Sequence, residues 1–258
     1  MSRRRRMSIF LLLIVASAPN LMGQKPATPN YSFQSALAAM GGTNVQAYTL
    51  TGNAEFIAGS TDDTGSFSGE CNISGSSQLS LQLSNGTRTE TRETKDGIPG
   101  GTWTDSNGVR HAIASHNLFA PSAWFCPVVA LSQIVSAGNL NIQFIGNEEK
   151  NGATLEHFTI TSTPSGTGPQ IALLTHLSQV DIFLDPQTLR PAVVDYNAHP
   201  DKDAGTDIPV ELRFENYTEV NGVWIPFTIQ RYLNSSLALT LQVQSATTSL
   251  GIPSSTSR

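Results

Sequence analysis

Residues 180–243, VDIFLDPQTLRPAVVDYNAHPDKDAGTDIPVELRFENYTEVNGVWIPFTIQRYLNSSLALTLQV, decide the fold. Val180–Leu184 and Pro191–Tyr196 flank the turn Asp185-Pro186-Gln187 and read as one hairpin. Pro209–Tyr217 and Val223–Tyr232 flank Asn221-Gly222, a pair that accepts positive φ and matches the twist of the strands it joins. Leu237, Leu239, Leu241 and Val243 then place apolar side chains at every second residue, on one face of a further strand.

The same pattern extends toward the N-terminus. Leu50, Ala54 and Phe56 share a strand face, and Phe67, Cys71 and Ile73 share the next. Leu79, Leu81 and Leu83 run into the turn Asn85-Gly86, and the polar run Thr87–Thr94 reads as a solvated rim. A turn at Asp105–Gly108 follows Trp103, and Lys150-Asn151-Gly152 joins Leu140–Ile145 to Leu155–Thr161. The apolar stretch 116–137, with Pro121 and Pro127, lacks alternation and predicts one or two short helices, the first near Pro121. A short helical or irregular stretch covers Ile171–Leu177. At the front, Asn30 is a good cap, Phe33, Ala36, Leu37 and Met40 make a helical stripe, and Gly41-Gly42 stops it.

About ten strands with short connections predict a strand-dominated α+β protein. Its single curved antiparallel sheet is an incomplete β-barrel covered by short helices. No composition shift divides residues 24–258, which read as one domain.

Residues 1–23 read as a secretory signal peptide: Arg3, Arg4, Arg5 and Arg6, then the apolar run Ile9–Ala16, then cleavage after Ala18 or Gly23. Export to the periplasm or beyond is the expected location, with no transmembrane anchor after cleavage. Without those four arginines, eleven basic residues face twenty acidic ones, a formal charge of −9. A nucleic-acid partner needs basic side chains against phosphate, so this balance argues against one. Charged residues are 14% of the chain and apolar ones 39%, too apolar for a charge-rich disordered protein.

Cys71 and Cys126 are the two cysteines. In an oxidising compartment they form one disulfide, or they are two separately buried thiols; the sequence leaves both open. Catalytic motifs are missing. Gly65-Ser66-Phe67-Ser68-Gly69 has Phe where a nucleophilic serine would stand, and no H-E-x-x-H or phosphate-binding loop occurs. His111, His116, His157, His176 and His199 are scattered and read as surface or capping residues. Asp201, Asp203 and Asp207 lack the Glu of a calcium loop, since Leu212 stands there, and read as a solvated turn. The expectation is therefore no enzyme, no cofactor and no metal. N-x-[ST] sites at Asn72, Asn85, Asn216 and Asn234 receive no role.

The opening FQSALAAMGGTNVQAYTLTG, the meander after it and the closing hairpins resemble the LolA/LolB-like lipoprotein-carrier superfamily. The resemblance implies a half-barrel whose concave face, under helices, holds acyl chains, with a lipid, acyl chain or lipoprotein as partner. In that arrangement Leu79, Leu81, Leu83, Leu239, Leu241 and Val243 face the concave side. Phe33, Leu37 and Met40 cover them, with Trp124 and Phe125, and these eleven residues are the expected ligand-binding set. The alternative is a non-catalytic cell-envelope protein with a filled core that docks a protein partner. An apolar cavity beneath the helices favours the carrier or sensor; a close-packed interior favours the docking protein.

Overall fold

A computed structural model describes residues 29–119, 122–164 and 168–251. The segment read as a signal peptide and Pro121 lie outside these residues.

Helix α1 (Pro29–Ala39) leads into a single 3-10 turn at Gly42–Asn44. Asn30, read as the cap, is one residue inside the helix. Pro29 takes the first position, where its missing N–H is no loss and its fixed φ is already helical. Six strands follow: β1 (Val45–Ala58), β2 (Thr61–Asn72), β3 (Ser77–Leu83), β4 (Gly86–Lys95), β5 (Ile98–Thr104) and β6 (Arg110–Ala112). After a 3-10 turn at Ser115–Leu118, helix α2 spans Pro127–Ser136. It starts at the second proline of the apolar stretch. Next come β7 (Leu140–Lys150), β8 (Ala153–Ser162) and helix α3 (Pro169–Leu177). The chain closes with β9 (Val180–Leu184), β10 (Pro191–Ala198), β11 (Ile208–Val220), β12 (Val223–Leu233) and β13 (Ser236–Leu250).

The strands form one sheet in the order β6-β5-β4-β3-β2-β1-β13-β12-β11-β10-β9-β8-β7. Thirteen strands stand where alternation indicated about ten. Strands β5 (IPGGTWT) and β6 (RHA) carry almost no apolar alternation by which to be read. The tight turns fall where expected, with φ of 53° and 81° at Asn221 and Gly222, and 53° and 82° at Asn151 and Gly152.

The order contains two meanders, β1–β6 and β7–β13, zipped together by the antiparallel pair β1·β13. The connection from β6 to β7 therefore joins opposite edges of the sheet and has to cross its face. That requirement accounts for the apolar, non-alternating composition of 116–137: the segment is a cover. It is fastened at several points. Arg92 donates to the Asn117 carbonyl (3.1 Å), Ser77 Oγ to the Ser122 carbonyl (2.5 Å), and Cys126 is joined to Cys71 of β2 in a disulfide.

The core lies between the sheet's covered face and helices α1 and α2. Phe33 of α1 and Met40 just after it, Val128 and Val129 of α2, and Leu239 and Leu241 of β13 are fully buried together. Each such side chain contributes roughly 1.5–3 kcal/mol of burial. Phe33 meets Phe158 of β8 edge-on, with ring centres 5.1 Å apart. Phe125 lies on Gly69 of β2 so closely that a Cβ there would come within 2.8 Å of the ring. A second, small cluster of Leu155, Phe183 and Val193 sits apart from this core.

Candidate ligand-binding cleft

Cross-strand register shows what the covered face presents. Residues directly opposite share a face, so one row runs Phe56, Leu239, Arg231, Leu212, Val194, Ile182, Phe158 and Phe144, from β1 through β13 to β7. A second runs Leu50, Gly69, Leu79, Glu90, Trp103 and His111, from β1 to β6. Two apolar rows thus carry opposite charges, Arg231 on one and Glu90 on the other.

These charges meet across the concavity. Arg231 Nη1 is 3.8 Å from Glu90 Oε2, and Arg92 Nε donates to Glu90 Oε1 at 2.8 Å. Trp124, from the crossing segment, is held between them. Its indole N–H donates to Glu90 Oε1 (3.3 Å), and the Arg231 guanidinium lies 4.8 Å from its ring centre. Burial alone would raise the Glu90 pKa, but Arg92 and Arg231 outweigh it and hold the carboxyl below its ordinary value. The reading of Thr87–Thr94 as a solvated rim is corrected here: Glu90 and Arg92 of that run point inward, where charge partners replace water.

Two hollows border this clasp. The more apolar one, about 250 Å³, lies between α2 and β7–β11. Ala130, Leu131 and Ile134 of α2 form its roof; Ile160, Ile182, Val194, Leu212 and Phe214 form its floor; Trp124 closes one end. Ser162, Ser178 and Gln133 are its polar lining. Ser162 Oγ donates to Ser178 Oγ (2.8 Å), which donates to the Thr175 carbonyl (3.0 Å), so both serine hydroxyls are satisfied. Phe119, 41% exposed, stands at the mouth. The other hollow, also about 250 Å³, is lined by Phe56, Leu79, Leu81, Trp103, Glu90 and Arg231.

Of the eleven residues the sequence assigned to ligand, Trp124 lines the cleft, and Leu79 and Leu81 line the second hollow. Phe33, Leu37, Met40, Leu83, Phe125, Leu239, Leu241 and Val243 belong to the buried core and border neither. Most of the cleft floor, on β8–β11, was missed. Its inward sets, such as Val180 and Ile182, are legible as alternation, but nothing in one sequence separates a floor under open space from a floor under a helix.

A third cavity of about 280 Å³ is polar. Lys150 bridges Asp195 (2.6 Å) and Glu211 (3.0 Å) there, and Arg213 Nε donates to Glu211 (2.5 Å), so its charges are already paired.

No protein-family profile matches the chain, and no curated protein sequence matches it. Solved structures do. A DUF1329 family protein from Desulfovibrio piger superposes with a TM-score of 0.54 at 12% identity, covering 88% of this chain and 95% of that one. A domain named for outer membrane lipoprotein sorting, from Vibrio parahaemolyticus, gives 0.53 at 13% identity over 88% and 94%. A LolA superfamily protein from Nitrosomonas europaea gives 0.50 at 12% identity over 83% and 91%. At these identities the likeness establishes the fold: the chain has the LolA-type architecture.

Proposed function

We propose that this protein is an exported, non-catalytic carrier or sensor that binds a lipid or other apolar ligand in the cleft between α2 and β7–β11. The observation that carries the reading is the cleft itself: an open apolar space beneath a helix, with its two serines satisfied by hydrogen bonds. Apolar space of this kind gains ~0.8 kcal/mol for each CH₂ it takes from water, so an acyl chain binds without any catalytic group. Ligand pockets run to ~300–1,000 Å³. Each hollow alone falls just short of that range, and the two together fall within it. Trp124 and its Glu90–Arg231 clasp are then the partition that a longer chain displaces.

Two further features agree with export: the basic, then apolar, then small-residue order of residues 1–23, and a disulfide fastening the cover. Among the described residues no helix is long and apolar enough to cross a membrane. The lipoprotein-sorting name of one structural neighbour fits an acyl-bearing ligand.

The second reading, a docking protein of the envelope, is favoured by edge strand β7, where Phe144 and Ile145 are 37% and 50% exposed. Organic extraction of protein exported to a bacterial periplasm separates the two. Lipid recovered at close to one molecule per chain supports the carrier; a lipid-free protein that retains its fold supports the docking protein.

A further inference from the structure

Three segments distant in sequence converge beside the cleft. His176 is in the last turn of α3, two residues before Ser178 of the cleft wall; His199 follows β10; Asp207 precedes β11. One donor atom from each lies within 4.8 Å of the others. His176 Nε2 is 2.9 Å from Asp207 Oδ1, and His199 Nδ1 is 3.5 Å from the same oxygen. The His116 ring stands 6.0 Å from His199, centre to centre.

Two observations distinguish this group from a surface ion pair. First, the His199 side chain is 1% exposed, and its Nε2 has no hydrogen-bond partner. Its Nδ1 lies 3.1 Å from the Thr206 carbonyl, which can only accept, so the neutral ring carries its proton on Nδ1 and a bare lone pair on Nε2. A buried lone pair without a donor is costly in a protein interior. An imidazole held at one nitrogen by a carbonyl, with the other free, is the arrangement of a metal-ligating histidine. Second, the site is braced. Asn117 clamps the His199 backbone on both sides, donating to its carbonyl (2.7 Å) and accepting from its N–H (2.8 Å). Asp203 spends its carboxylate on Gly205 N–H (2.9 Å) and Thr206 Oγ1 (2.7 Å), shaping the loop that presents Asp207.

We propose that His176, His199 and Asp207 bind one divalent first-row transition-metal ion, with zinc as the fitting type, and that this ion staples α3 and the β10–β11 loop beside the cleft. Two imidazoles and one carboxylate are zinc-type donors; calcium and magnesium take oxygen ligands. Tetrahedral ligands at bond lengths of ~2.0–2.2 Å stand ~3.3–3.5 Å apart. The 2.9 Å between His176 Nε2 and Asp207 Oδ1 therefore needs only a small adjustment, and His199 offers Nε2, the nitrogen its Thr206 contact leaves free. The negative end of the α3 dipole also favours a cation. The fourth position is left to water or to His116.

The test uses mature, tag-free protein stripped with a chelator, dialysed against zinc and assayed for bound metal. We expect one zinc per chain, a raised melting temperature, and visible absorption bands when cobalt replaces zinc. His176→Ala and Asp207→Asn, both at exposed positions, each weaken zinc binding ~10–100-fold or more with unchanged circular dichroism. His111→Ala, on β6, leaves it unchanged. Wild-type protein that retains no zinc overturns the proposal, as do His176→Ala and Asp207→Asn proteins that retain as much as wild type.

Discussion

Glu90 and Arg231 stand on strands five places apart in the sheet, yet their side chains come within 3.8 Å of each other. In a flat sheet, strands spaced ~4.8 Å would hold these backbones ~24 Å apart, a span this pair cannot bridge. The sheet therefore curls until its inner face meets itself, and the clasp forms where it does. Trp124, brought in by the connection that crosses the sheet from β6 to β7, fills the junction and divides the concavity into two hollows.

Glu90 gives the clasp a pH signature. Its folded pKa is depressed, so its stabilising effect is fully present above the ordinary carboxylate value and is lost as pH falls through the folded value. Glu90→Gln should cost about 1–3 kcal/mol near pH 7, and the difference from wild type should shrink steadily below pH ~4.3. Denaturant titrations across pH 2–8 measure both curves. A difference that stays constant with pH would show that Glu90 is not charged in the fold.

Gly41 and Gly222 separate crowding from backbone strain. A Cβ at Gly41 (φ +69°) would lie 1.8 Å from the Gly222 carbonyl oxygen, next to the point where Trp224 N–H donates to the Met40 carbonyl (2.9 Å). A Cβ at Gly222 (φ +81°) meets nothing within 4 Å. Gly222→Ala should cost only the left-handed penalty of ~1–2 kcal/mol. Gly41→Ala should cost clearly more, because α1 must lift off the β11–β12 hairpin. Equal denaturant midpoints for the two variants would contradict this docking.

The disulfide closes a loop with a sequence separation of 55, for which the chain-entropy account gives about 4 kcal/mol. Because Cys126 sits immediately before α2, reduction should also loosen the cover over the cleft. Hydrogen exchange of residues 122–136 should accelerate on reduction, well before the β11–β13 hairpins exchange. Two freely titrating thiols in untreated, folded protein would contradict the pairing.

What the sequence displayed follows from what is local in it. The Asn-Gly turns and the alternation of β9–β13 depend on neighbouring residues, and they appear where the pattern places them. The crossing segment was visible as apolar and helical, because a cover that touches the core on several sides loses alternation. Glu90 and Arg231 were invisible as partners. A charge within a strand reads as solvent-facing, and only curvature over five strands brings this pair together. The same holds for His176, His199 and Asp207, whose nearness is a property of the tertiary fold. The space under α2 was illegible for a different reason: alternation marks an inward face but not what fills the volume above it.

The most direct measurement of ligand binding is a titration of delipidated protein with a fluorescent acyl-chain probe, run in parallel on wild type and Ala130→Trp. Ala130 lines the roof of the cleft, so an indole there occupies the space a ligand would take. Wild type should bind about one probe per chain, displaced by fatty acid. The variant should bind at least ~10-fold more weakly, a loss of ~1.4 kcal/mol, with its denaturant midpoint nearly unchanged. A wild-type protein that ignores the probe, or an Ala130→Trp protein that binds it as tightly as wild type, would contradict the cleft as the binding site.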